Sequence, residues 1–169
     1  MSCISEILNL KGDKEFLVLG NPKGFHAFCI ENGGEYKGYE YLITMVGRGH
    51  RCGYVAIPED KPINDKGVDY DFGYDVHGGI TFCDRDHPAK AALSIACTDL
   101  WLGFDAAHGH DCVDLVCAEK YFGETQEIKY MKTNDFYRGI EFGEIRTFEY
   151  MESECKKLID QLVQQQAGS

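Results

Sequence analysis

The apolar positions of this chain keep helical spacing at its two ends and fall into short aromatic and β-branched runs between them. At the C-terminal end Ile145, Phe148, Met151, Cys155, Leu158, Ile159, Leu162 and Val163 repeat at helical intervals, which predicts an amphipathic helix laying one stripe on a sheet. Glu149, Glu152 and Glu154 come early in it and Lys156 and Lys157 later, an order that complements a helix dipole. Cys3, Ile4, Ile7, Leu8 and Leu10 predict a short first helix, closed by Gly12 and Asp13. Between the helices, residues 16–19, 25–30, 39–46, 52–57, 75–82 and 100–105 read as strands. The tract Glu31-Asn32-Gly33-Gly34 reads as a hairpin turn, because Asn and Gly accept positive φ. Residues 58–75 carry prolines, glycines and aspartates and read as a surface loop, and 84–98 has room for one helical turn. No repeat or linker divides the chain. The expected fold is therefore α+β, a single domain over 1–169: an antiparallel or mixed sheet with helices on one face, the C-terminal helix among them, and a frayed tail over 163–169.

At 169 residues the chain is long enough to bury a core without staples. Its formal net charge of −11 repels nucleic-acid phosphates, so no direct nucleic-acid partner is expected. The same charge suits solubility, or a basic groove on another protein. Eight cysteines are present without a CxxC pair or an opening secretory signal. They read as buried thiols in a reducing cytoplasm. No stretch approaches the ~20 apolar residues of a membrane span, so no membrane partner is expected.

The densest polar constellation follows the run at Leu100-Trp101-Leu102: Asp105, His108, His110 and Asp111 around Gly109. Two imidazoles and two carboxylates on a flexible turn fit a Zn²⁺ or Mn²⁺ site, or a metal-free acid–base pair. A second element is His77-Gly78-Gly79-Ile80-Thr81, where bare backbone permits close approach of an anion. Arg51, with His50 and Arg48 nearby in sequence, supplies a cation for phosphate. The reading assigns catalysis to His77, Asp105 and His108, ligand binding to Arg51, Gly78, Gly79 and Thr81, and metal binding to Asp105, His108, His110 and Asp111. The spacings match no known metal signature. A tight turn accounts for Gly78-Gly79 on its own, and Asp105 is equally suited to bond turn amides. His26 and His87 read as ordinary surface or strand residues, and Trp101 as core.

RCGYVAIP, DVHGGITF, WLGFDAAHGHD and IRTFEYMESECKKLIDQL follow one another in that order, and the resemblance they carry covers roughly residues 48–163. The chain resembles a group of small bacteriophage and prophage proteins in which an RCGYV-type strand precedes HGG[IL]T and WxGFDxAHxxD. The resemblance carries over Arg51, Cys52 and Gly53, then His77, Gly78 and Gly79, then Gly103, Phe104, Asp105, His108 and Asp111. It departs at Ala106, where the group carries a cysteine, and at His110, where a small residue is usual. It implies an accessory protein of the infected bacterial cytoplasm that blunts host defence. Three readings are open: a pocket that binds or hydrolyses a small phosphorylated ligand such as a host nucleotide signal; an acidic inhibitor of a host defence protein, of the anti-CRISPR type, using its aspartate-rich loop; and an assembly protein whose homodimer buries the C-terminal helix.

Overall fold

The computed structural model describes residues 2–20, 27–61, 63, 73–134 and 143–168. The elements run α1 (Cys3–Lys11), β1 (Leu17–Leu19), β2 (Phe28–Tyr36), β3 (Tyr39–Val46), β4 (Arg51–Ile57), β5 (Phe82–Asp84), α2 (Pro88–Ala92), β6 (Leu100–Asp105), β7 (Asp111–Cys112), α3 (Leu115–Phe122), α4 (Gln126–Lys132), β8 (Glu144–Ile145) and α5 (Phe148–Ala167). Six strands form one antiparallel sheet in the order β1-β2-β3-β4-β6-β5. β7 and β8 make a separate parallel pair. The architecture is α+β, with α5 packed on β3 and β4.

Helices cover both sheet faces, not the single face expected. On one face Met151, Cys155, Leu158, Ile159 and Leu162 of α5 meet Tyr41, Ile43, Val55 and Phe104. Farther along that face Ala118 of α3 and Ile128 of α4 cover Cys29 and Met45. On the other, Cys3, Ile4 and Ile7 of α1 and Ala89 of α2 meet Ile30, Leu42, Tyr54 and Trp101. The central strands are accordingly buried along nearly their whole length instead of alternating. The apolar stripe of α5 is spent inside the molecule, so it is not a free surface for the homodimer envisaged from sequence. No helix among the described residues is long and apolar enough to cross a membrane.

Local chemistry explains where the elements begin and where the sequence reading misplaced them. Ser2, Asp114, Thr125 and Thr147 each accept a backbone amide at the start of α1, α3, α4 and α5. The β2–β3 turn falls at Lys37 and Gly38, with φ of 51° and 83°, the backbone of a two-residue hairpin turn. Glu31 to Gly34 are inside β2 instead. Gly33 is required there by close packing, since a Cβ would overlap the Tyr41 carbonyl oxygen. A register shift between Ile30 and Asn32 leaves Glu31 as the bulged residue. The strand expected over 75–82 reduces to Phe82–Asp84; before it His77 and Gly78 form a turn closed by Gly79 N–H donating to the Val76 carbonyl at 2.8 Å. The C-terminal helix runs on to Ala167 rather than fraying from 163. His87 is buried, not a surface residue; it caps α2 and packs on Tyr54, Phe82 and Trp101. Trp101 is fully buried, as expected. His26 and most of the aspartate-rich loop lie outside the described residues.

The cysteines depart from expectation in one place. Cys3 and Cys97 form a disulfide, with Cα atoms 5.6 Å apart. Cys29, Cys52, Cys83, Cys112, Cys117 and Cys155 are not disulfide-bonded. Burial, reinforced by neighbouring acidic groups, pushes the Cys29 and Cys52 thiols up to about 12, which makes them inert packing groups.

Candidate functional site

Three stretches of chain converge beyond the end of β6. The first is the turn at 76–81, pinned by buried Val76. The second is the turn that leaves β6 at Asp105 and closes with Asp111 N–H donating to the His108 carbonyl at 2.9 Å. The third is the segment from β8 into α5, tied to the second by the Asp111–Glu144 strand register and by Glu144 N–H donating to the His110 carbonyl at 2.9 Å.

Asp111 is the hub, its side chain only 1% exposed. Oδ2 accepts from His77 Nε2 at 2.8 Å and from the His108 amide at 3.0 Å, while Oδ1 accepts from Arg146 Nε at 2.9 Å. Burial pushes this carboxyl up, but the bonds from His77, Arg146 and the His108 amide outweigh it and hold it below the ordinary Asp value. Asp111 is thus ionised at neutral pH. An ionised carboxylate only accepts, so His77 Nε2 carries a proton. In the neutral ring Nδ1 then accepts from the Tyr150 hydroxyl, 2.8 Å away. Burial and the charge of Glu154 raise the Tyr150 phenol, which keeps that donor protonated. The Arg146 guanidinium carbon lies 4.9 Å from the centre of the Tyr150 ring, a cation–π contact closing the group.

His108 is the open member, its side chain 40% exposed, with Nε2 3.4 Å from Asp105 Oδ1. The His77 and His108 ring centres are 5.8 Å apart. Asp105 is held in turn by the Thr81 hydroxyl at 2.9 Å and the Ala107 amide at 3.0 Å. Gly78 lets the two turns meet: its φ is +69°, and a Cβ would overlap His108 Nε2.

The predicted catalytic trio His77, Asp105 and His108 is therefore brought together, with Asp111. The predicted phosphate donors mostly are not free. Arg51 is buried, its guanidinium committed to Glu31 at 2.8 and 3.0 Å, Asp114 at 2.9 Å and the Arg146 carbonyl at 3.0 Å. Burial lowers its pKa, but these acidic partners outweigh that and raise it. Gly79 N–H is spent in its own turn and the Thr81 hydroxyl on Asp105. Nor do the donors of Asp105, His108, His110 and Asp111 converge as a metal site. Asp111 already accepts three hydrogen bonds, and His110 is exposed and contributes its backbone carbonyl. Among the described residues, the group of three donors close enough to share an ion is Cys3, Cys97 and Asp99. Sequence reasoning missed Arg146 and Tyr150. Their signal lay in IRTFEY, where Thr147 is a helix N-cap with a cation just before it and an aromatic residue three positions on.

Comparison of the chain with protein-family models, with curated proteins and with solved structures finds no match in any of the three.

Proposed function

We propose that the chain is a phage accessory protein, acting in the infected bacterial cytoplasm, whose His77–Asp111–Arg146 site binds a small phosphorylated ligand of the host nucleotide-signal class and hydrolyses it by histidine acid–base chemistry. The observation that carries the reading is the His77 imidazole bound at both nitrogens, between a buried ionised carboxylate and the Tyr150 hydroxyl, with exposed His108 beside it. Asp105, Asp111 and Glu144 pair with the two imidazoles and the arginine, so an anionic ligand would be met by hydrogen-bond donors at the exposed edges of His108 and Arg146 rather than by a net positive charge. Asp111 fixes the His77 tautomer and ring orientation, a usual role of a carboxylate behind a histidine. His108, oriented by Asp105, is placed to exchange a proton with a leaving group or attacking water. Arg146, partly exposed though paired with Asp111 and Glu144, takes the phosphate role expected of Arg51.

The test is to incubate the protein with cyclic and linear oligonucleotide signals, following binding by calorimetry and products by mass spectrometry. His108→Ala is expected to lower turnover by about 10²-fold or more, the usual worth of a positioned acid or base, while binding persists. Turnover unchanged in that variant overturns the assignment. Binding without turnover marks a sequestering site. Absence of both favours the acidic inhibitor of a host defence nuclease, whose support is the net charge and whose binding falls with salt.

A further inference from the structure

We infer that Cys3, Cys97 and Asp99 form a second, redox-gated site that holds a thiophilic divalent cation of the Zn²⁺ class when the two cysteines are reduced. One ligand atom from each residue lies within 4.8 Å of the others. Two sulfurs and a carboxylate oxygen are a donor set that suits Zn²⁺, with a fourth position left for water or another ligand. The carboxylate is already aimed at this point, because Asp99 Oδ2 accepts the Cys3 amide at 3.0 Å. Cys3 opens α1, so its sulfur and the Asp99 carboxylate both sit where the helix dipole favours negative charge. The Lys90 ammonium bonds the carbonyls of Arg85 and Asp99 and lies over the Trp101 ring, and its charge also acts on the Asp99 carboxylate without a direct hydrogen bond to it.

The surroundings favour a cation independently of these three residues. Asp99 and Ser2 line a cleft of about 340 Å³ whose other walls include Glu35, Glu40 and Glu59. Glu40 Oε1 bonds the Ser5 hydroxyl, while its Oε2 is buried without a hydrogen-bond partner among the described residues. Such an oxygen is costly to leave unpaired. Glu40 lines the same cleft as Asp99, so a cation at Asp99 has an acidic route of entry. Of the pair, Cys97 is partly exposed and gives an external reductant its point of attack, while Cys3 is buried.

In the disulfide form the sulfurs are bonded to each other and cannot bind. Thiol–disulfide exchange with an external dithiol breaks the Cys3–Cys97 bond, gives two thiols and leaves the dithiol oxidised to its own disulfide. Cation binding then displaces one proton from each thiol. The site is separate from the His77 cluster and does not depend on the function proposed for it.

The experiment titrates Co²⁺, as a spectroscopic stand-in for Zn²⁺, into anaerobically reduced full-length protein and reads the thiolate-to-metal charge-transfer band, with Zn²⁺ content measured in parallel. About one ion per chain is expected for reduced wild type and for His108→Ala. The band is expected to vanish in Cys97→Ser and in wild type oxidised to the disulfide, and affinity is expected to fall at least tenfold in Asp99→Asn. Because Cys97 is partly exposed, its serine variant is preferred to one at buried Cys3, and the oxidised wild type gives the same answer with no substitution. Reduced protein that binds no Co²⁺ overturns the inference. So does binding that survives Cys97→Ser, or binding that disappears in His108→Ala alone.

Discussion

The molecule contains two arginine–carboxylate networks, and their difference separates a structural lock from a site. Around Arg51, the side chains of arginine and Glu31 are 3% and 4% exposed. Tyr121 donates to Glu31 at 2.7 Å, and Asp114 also caps α3. Every partner is protein, and the network ties β2, β4 and α3 together. Around Arg146, the carboxylate of Asp111 is equally buried, but Arg146 is 18% exposed, its Nη1 donates to exposed Glu144 at 3.1 Å, and His108 is 40% exposed. The two networks touch, since Arg51 Nη1 donates to the Arg146 carbonyl at 3.0 Å. The closed network thus positions the backbone of the open one. A charge that meets only protein contributes rigidity; the same charge with one side open is available to a ligand.

That contrast can be broken in order of effect. Arg51→Met leaves Glu31 buried and uncompensated, and is expected to cost about 3–5 kcal/mol in a urea melt, as breaking a buried ion pair does. A loss below about 1 kcal/mol would show that Arg51 is no lock. An acid titration comes next, with His87 as its largest background. Burial, and to a lesser extent Lys90, depresses the His87 imidazole from 6.5 to about 4. The unfolded chain therefore binds a proton that the fold refuses, so stability is full above about pH 6.5 and falls by up to about 3 kcal/mol on the way to pH 4. His87→Asn, which keeps an acceptor for the α2 cap, should flatten that window. Asp111 and Asp114 are both held below the ordinary 3.8, so their contribution is present above that value and is lost only as the pH drops further.

Gly78→Ala is expected to cost about 1–2 kcal/mol from its positive φ and, by displacing His108, to reduce turnover far more than stability. Equal losses in both would make the turn purely structural. The smallest effect belongs to Tyr150→Phe, about 0.5–1.5 kcal/mol for one hydrogen bond. It should change the His77 imidazole resonances by NMR, and an unaltered spectrum would remove Tyr150 from the network.

Much of this was legible in the chain where one principle acted alone. The spacing of Met151, Cys155, Leu158 and Leu162 made α5 visible, and apolar runs located β3, β4 and β6. Legibility failed where two signals competed. Asn32-Gly33-Gly34 has turn chemistry but serves close strand packing, while Lys37 and Gly38 make the turn with a weaker signature. α3 and α4 are short and have few buried positions, so their period was faint. At the site, the His and Asp types were readable from their density, but the partners of each were not. Arg51 and Arg146 are indistinguishable as letters; only the fold encloses one and leaves the other open.

The bulge at Glu31 has a consequence for the length of β2. Ile30 pairs with Thr44, and Asn32 with Ile43, so the strand runs in one phase up to residue 30 and is out of step by one afterwards. Deleting residue 31 would give a smoother ladder and leave the hairpin and the α1 face correctly matched. It would also take from the buried Arg51 guanidinium its two-pronged partner Glu31 and leave it to Asp114. The number of residues in this strand is therefore set by a charge, and a comparison of hydrophobic patterns alone would count one too many.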